Sequence, residues 1–314
     1  RRGRELTRYV GGNAQVLDPT TYIEFFGQRN DGLLDRDFYK SPADQPQPSY
    51  SYYTDTASYF ITWSVGAGAR TGRAMPEPTA APGALHPHRL FKPLSIWTYS
   101  YADGENSENQ NYQPWFDKGE GYTSGYLGVI SPASGTTGPA SNVYVDWGND
   151  SLLTNVPLSG GQFQLDITVA GSSMTNHLTE IAVLLPNGTK RVLDTIRYAG
   201  YSVIRRSYPL LRSDIRTNGK VRINTEVVNP TLTSLPYDRF RLANFRVTVP
   251  QANRWYPNKR HVLFSSDSLL AGVATYEVDS IPAAVHGYDV TDPYNVQRIT
   301  GLAGSTTRSR VFVF

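Results

Sequence analysis

Phe163-Gln164-Leu165-Asp166-Ile167-Thr168-Val169 alternates apolar and polar side chains without a break. Neighbouring side chains of an extended chain point to opposite faces, so Phe163, Leu165, Ile167 and Val169 share one side. This is the pattern of a strand with one buried and one wet face. Downstream, Glu180-Ile181-Ala182-Val183-Leu184-Leu185 runs into Pro186-Asn187-Gly188-Thr189, and Arg191-Val192-Leu193 follows. Asn-Gly accepts the positive backbone angles of a tight turn, so this stretch reads as an antiparallel hairpin. A second Asn-Gly, at Asn218-Gly219, precedes the run Lys220–Val227. Phe240–Val249 alternates again, with its Arg and Asn residues expected on the face that meets water.

The composition extends this reading to the whole chain. With 21 Tyr, 12 Phe and 5 Trp in 314 residues, and no stretch of a dozen with a helical period, strands are favoured throughout. The 27 Gly and 21 Pro punctuate them. The expected fold class is all-β: an antiparallel β-sandwich, jelly-roll-like over roughly residues 156–250. Tyr22–Gly27 and Ala57–Ser64 read as earlier strands, the second apolar enough to be central. Two β domains are expected. Residues 1–140 form an N-terminal region with long loops, rich in Gly, Ala and Pro at 67–93 and in Asn at 103–113. Residues 141–314 form the sandwich, with Ser131–Ser141 as the linker. If the early strands insert into the sandwich, the chain is instead a single domain.

Several function classes are excluded at this level. There is no Cys, so there is no disulfide, zinc-thiolate site or thiol nucleophile. The net charge of +3 is small and scattered, which argues against nucleic acid. No apolar run is long enough for a membrane-spanning helix. The chain opens on Arg1 and closes on the strand-like Val311-Phe312-Val313-Phe314, so it is expected to be a piece of a longer protein.

Four constellations could carry chemistry. Asn30, Asp31, Asp35 and Asp37 place oxygen side chains close together, as a hard cation such as calcium requires; the same residues serve equally as turn and capping groups. Asp31, Asp35 and Asp37 are the candidate metal ligands. His86-Pro87-His88 has the alternate spacing of a metal-binding pair but lies in a Pro-rich loop. Trp97, Tyr99, Tyr101, Tyr112, Trp115 and Phe116 are interleaved with Asp103, Glu105, Glu108 and Asp117. Flat rings beside carboxylates suit a glycan or a peptide, and strand aromatics packed in a core give the same pattern. Trp97, Tyr99, Tyr101 and Trp115 are the candidate ligand or partner contacts. For hydrolytic chemistry, no G-x-S-x-G elbow is present. His177 and His261 read as sheet-edge or loop residues, and Glu24 and Glu120 are the carboxylates a glycosidase reading would test. Asn187-Gly-Thr189 and Asn149-Asp-Ser151 match the glycosylation sequon.

Three longer stretches resemble one family. They are YIEFFGQRNDGLLDRDFY (Tyr22–Tyr39), YSYYTDTASYFITWS (Tyr50–Ser64) and GYDVTDPYNVQRIT (Gly287–Thr300). Together they look like the region ahead of the catalytic domain in gingipain-type cysteine peptidases, in particular the PorU-type sortases of the type IX secretion system of Bacteroidetes. The hairpin region Phe163–Val249 is similar to the β-sandwich between the second and third patterns. The resemblance implies a downstream caspase-like α/β domain with a His–Cys pair. With no Cys here, no catalytic residue carries over, and Glu24, Asp31 and Tyr59 fall at sheet and turn positions.

The resemblance therefore implies a non-catalytic accessory region of a protein in the periplasm, on the outer-membrane surface or secreted. Its implied partners are the downstream peptidase domain, a secretion partner, a cargo protein or a surface glycan. No organic cofactor is expected, and calcium is the one candidate ion. A free-standing carbohydrate-binding sandwich is the alternative, and a carboxylate hydrolase the third reading.

Overall fold

The computed structural model describes residues 3–13, 18–62, 72–79, 81–105, 114–129, 141–145, 162–216, 221–228, 238–256, 260–270, 272–282 and 285–314. The fold is all-β. The helical turns among the described residues are single 3₁₀ turns such as Asp35–Phe38, Pro42–Asp44 and Arg212–Asp214. The Asn218-Gly219 turn, the Asn149 sequon, Tyr112 and most of the Ser131–Ser141 linker lie outside the described residues.

Two compact units divide the chain along lines other than 1–140 and 141–314. One comprises residues 31–55 and 90–251, the other 1–30, 56–89 and 252–314. The reason is strand pairing: Leu94–Ile96 and Leu127–Val129 both hydrogen-bond to the long strand Asp238–Gln251. The first half of the sequence thus completes a sheet of the second.

The 31–55/90–251 unit is a two-sheet sandwich. Its four-stranded sheet runs in the order Lys190–Ala199, Asn176–Leu184, Val221–Val227, Ser141–Val145. Its six-stranded sheet has Val203–Pro209, Gln164–Gly171 and Asp238–Gln251 side by side, with Arg89–Phe91, Leu94–Ile96 and Leu127–Val129 joined to the last. Leu165, Ile167 and Val169 meet Ile181, Val183, Val221 and Ile223 in one core, as the alternation predicts. Phe163 packs against its margin. The expected hairpin forms between Asn176–Leu184 and Lys190–Ala199. Gly188 takes φ +84°, and the Asn187 carboxamide oxygen accepts from Thr189 N at 3.0 Å and Thr189 Oγ1 at 2.7 Å.

The long strand departs from simple alternation. Its register shifts between Leu242 and Asn244, leaving Ala243 as the extra residue of a bulge. Phe240 and Leu242 before it, and Phe245, Val247 and Val249 after it, therefore all reach the core. The bulge leaves the Ala243 carbonyl off the ladder, where it accepts from the buried Gln47 Nε2 at 2.6 Å and from Trp97 N at 3.2 Å. The outer face of this sheet is not wet at Arg241. The paired strands Ser100–Ala102 and Gly121–Thr123 belong to the same unit. Arg241 is buried, donating to Ser100 Oγ at 2.9 Å, Ser124 O at 3.0 Å and Ser172 Oγ at 3.1 Å.

The second unit is built from smaller sheets. Thr275–Val278 and Leu302–Ala303 flank Arg310–Val313. Gly287–Asp289 pairs with Gln297–Ile299, and Tyr9–Gly11 with Tyr22–Glu24. Tyr276, Val278, Ile281, Ile299 and Phe312 form its core. The expected strand Tyr22–Gly27 is shortened to Tyr22–Glu24. The expected central strand Ala57–Ser64 is not a strand over its described residues 57–62, because among the described residues no strand pairs with it. High β-propensity supplies a tendency and not a partner.

Candidate functional site

The sandwich unit carries a continuous aromatic cluster where residues 35–53 meet residues 99–122. Phe116 N donates to Phe38 O at 2.9 Å, holding the two segments side by side. Phe116 lies 5.0 Å from Tyr52, 5.3 Å from Tyr39 and 6.0 Å from Phe38, centroid to centroid. Tyr52 continues to Tyr101 at 5.9 Å, and Tyr101 to Tyr122 at 5.5 Å. Edge-to-face contacts dominate, the geometry that ring quadrupoles favour.

Glu120 ties the cluster together. Its backbone carbonyl accepts from Tyr39 OH at 2.7 Å and Tyr52 OH at 3.2 Å, and the two phenols also hydrogen-bond each other. Its carboxylate accepts from Tyr101 OH at 2.6 Å and Asp117 N at 2.8 Å. Burial holds the Glu120 carboxyl above the usual range, with Asp117 and Asp103 adding repulsion. Burial likewise pushes the Tyr39, Tyr52 and Tyr101 phenols well above their ordinary value. The phenols therefore stay neutral at ordinary pH and act as hydrogen-bond donors. The arrangement presents ring surface and hydroxyls.

The candidate contact residues separate. Trp97 belongs to the core, its ring edge-on to Phe245 at 5.2 Å. Tyr99 is exposed, and its hydroxyl accepts from Gly125 N at 3.2 Å. Tyr101 is in the cluster, part-exposed. Trp115 adjoins it in sequence, with Lys40 Nζ 4.4 Å from its ring centroid. Sequence reasoning missed Phe38, Tyr39, Tyr52 and Tyr53 as members. The dense Tyr run at 50–53 was the available signal.

The three candidate metal ligands turn to three different partners. Asp31 Oδ1 accepts from Leu33 N at 3.2 Å, a turn contact. Asp35 is buried, and its oxygens accept from Ser51 Oγ at 3.2 Å and Tyr52 N at 2.8 Å. Asp37 is exposed beside Arg36, 3.4 Å away. Among the described residues no group of three or more His, Asp and Glu could hold one ion. His86 and His88 also part: His88 Nε2 pairs with Asp267 Oδ2 at 2.9 Å, while the His86 ring lies edge-on to Tyr276.

The pair that most resembles catalytic machinery is His177–Asp238. His177 is not at a sheet edge; its strand is flanked on both sides by others. Nδ1 lies 2.5 Å from Asp238 Oδ1, with both side chains fully buried. Nε2 faces Gly200 O at 2.9 Å and Ser173 O at 3.2 Å. Carbonyl oxygens only accept, so Nε2 carries a hydrogen and cannot take a proton from a nucleophile. The Ser173 hydroxyl is turned elsewhere, accepting from Arg239 N at 3.2 Å. The pair fastens the start of a strand to the Gly200 turn.

The glycosidase carboxylates fall in different units. Glu24 accepts from Tyr288 OH at 2.7 Å, and Arg298 Nε is 3.8 Å from it; Glu120 is held as described above. His261 lies in an exposed, non-strand segment.

No protein-family model matches the chain, and no curated protein matches its sequence. Among solved structures the chain is loosely similar to one described as dimeric latent PorU from Porphyromonas gingivalis. The TM-score is 0.49 and the identity 12%, over 77% of this chain and 20% of that one. The chain thus spans about a fifth of that structure's length.

Proposed function

We propose that this chain is a non-catalytic accessory β region of a gingipain-like, PorU-type cysteine peptidase. In this reading it acts at the bacterial cell surface, in the periplasm or in the secreted protein. It supports the peptidase domain and contacts the cargo or the secretion partner.

One observation carries the reading: the family-like stretches hold one another. In the sandwich unit, Asp35 of the first stretch accepts from Ser51 and Tyr52 of the second. Tyr39 meets Tyr52, and Phe38 lies 6.0 Å from Tyr53. In the other unit, Gln28 N donates to Tyr59 OH at 2.7 Å, and Tyr59 OH donates back to Gln28 O at 2.8 Å. There, too, Glu24 of the first stretch accepts from Tyr288 of the third. Within the third stretch, Asp289 and Asp292 cap turns by accepting from Thr291 N and Tyr294 N, each at 2.9 Å. Asp35, Tyr59, Asp289 and Asp292 each hold a backbone amide, the use expected of a scaffold.

The contact face under this reading is the aromatic cluster, with Tyr53, Tyr101 and Trp115 available at its surface. A glycan stacked on the same rings is the alternative use of this face. The test is co-purification of this chain with the caspase-like domain that the reading expects downstream of it. Retention, weakened by Tyr53→Ala and Trp115→Ala, supports the reading. Failure to associate, together with peptide cleavage by this chain alone, overturns it.

A further inference from the structure

The segments that bring the aromatic rings together also bring carboxylates. Residues 31–55, with 99–105 and 114–122, carry nine Asp and Glu against three Lys and Arg, a formal −6 in a chain whose total is +3. The field of these groups is felt inside the cluster. Burial first, then Asp117 and Asp103, hold the Glu120 carboxyl above its ordinary range. Burial first, with Asp31 adding repulsion, does the same at Asp35.

At the surface the rings form a corner. Phe38 and Tyr53, 49% and 66% exposed, lie 6.0 Å apart with their planes at 61°. Phe116 joins both, 6.0 Å from Phe38 and 6.4 Å from Tyr53. Asp37, next to Phe38 in the chain, has its side chain 70% exposed. One cation already uses this surface: Lys40 Nζ lies 4.4 Å from the ring centroid of Trp115, the neighbour of Phe116 in the chain.

The face of an aromatic ring attracts cations, and a carboxylate beside it adds a charge-assisted hydrogen bond. A neutral glycan gains from the rings but nothing from the charge, and an acidic partner is repelled. Charge complementarity therefore selects a cationic occupant. We infer that the corner of Phe38 and Tyr53, with Asp37 beside it, receives an Arg or Lys side chain from a basic segment of a partner polypeptide. The inference rests on the proposed use of this cluster as a contact face and names the chemistry of the partner.

The probe is a Gly-Ser-Arg repeat peptide, titrated against the full 314-residue chain by fluorescence anisotropy, with Gly-Ser-Gln and Gly-Ser-Glu repeats as comparisons. The Arg peptide is expected to bind at least about tenfold tighter than either comparison, and less tightly as salt is added. Tyr53→Ala and Asp37→Asn each weaken it about two- to fivefold. Both side chains are exposed, so these substitutions leave folding intact. Tyr53→Phe keeps the affinity, because the ring and not the hydroxyl makes the contact. Asp279→Asn removes an exposed charge from the other unit and leaves the affinity unchanged.

A Gln peptide that binds as tightly as the Arg peptide overturns the inference. So does full affinity in Tyr53→Ala, or a loss in Asp279→Asn equal to that in Asp37→Asn. Co-purification with the downstream domain separates this result from the proposed function. Retention of that domain with no preference for the Arg peptide sinks the inference and leaves the function standing; a preferred Arg peptide without retention does the reverse.

Discussion

His177 Nδ1 and Asp238 Oδ1 lie 2.5 Å apart at the start of two strands belonging to opposite sheets of the sandwich, with no solvent access to either side chain. The pair joins the two layers, and its other nitrogen joins the Gly200 turn to the same point. Removing Asp238 leaves the buried His177 Nδ1 without the oxygen it faces. Asp238→Ala is therefore expected to cost about 1–3 kcal/mol, read as a lowered midpoint in denaturant. A change of a few tenths would mean that the pair does not hold the layers.

Leu165 is fully buried between the sheets. Leu165→Ala should cost about 2–5 kcal/mol through lost burial and the cavity it leaves. Leu211, exposed at the rim, is the control, and Leu211→Ala should change stability by less than about 0.5 kcal/mol.

The bulge at Ala243 depends on Gln47. Gln47→Ala removes the 2.6 Å bond to the Ala243 carbonyl in a buried setting. The expected cost is about 1–3 kcal/mol, with faster hydrogen exchange of the Trp97 amide, which shares that carbonyl. Unchanged exchange at Trp97 would show that the bulge is held without it.

Close approach at Gly171 makes a further prediction. A Cβ there would meet Gly200 O at 1.8 Å and His177 Nε2 at 2.8 Å. Gly171→Ala must push the turn off the His177 ring, and destabilisation by several kcal/mol is expected. A fold of wild-type stability would place the Gly200 turn elsewhere.

Glu120 predicts a pH dependence. Its folded value is raised by burial, so between the unfolded and folded values the native state binds more protons than the unfolded one. Its contribution to stability is thus greatest when it is protonated and declines as pH rises through that window. The stability difference between wild type and Glu120→Gln should move in the variant's favour from acidic toward neutral pH. A difference independent of pH would show that Glu120 does not titrate in this window.

The sandwich was legible because burial on one face leaves a period of two in the sequence, clearest at Leu165, Ile167 and Val169. Arg241 was misread because a pattern reports orientation and not cover; its face is buried among hydroxyls from outside the strand. The phase change at Ala243 was hidden because a bulge adds one residue that alternation cannot locate. Asp31, Asp35 and Asp37 were visible as a group, but their directions follow from Leu33, Ser51–Tyr52 and Arg36. Ala57–Ser64 was read as a strand, yet its described residues 57–62 form none, because alternation cannot show whether a second strand lies beside them. The aromatic cluster was half legible, since Tyr101 and Trp115 stood in the marked stretch while Tyr39 and Tyr52 joined it from a distant part of the sequence.

Under the proposed function, this β-built chain is the scaffold of a peptidase whose chemistry lies elsewhere in the same protein. The most direct measurement is the sequence of the gene beyond the codon for Phe314. The account predicts an α/β domain carrying a His and a Cys within the next few hundred codons. A stop codon at that point, or a continuation without such a domain, would contradict it.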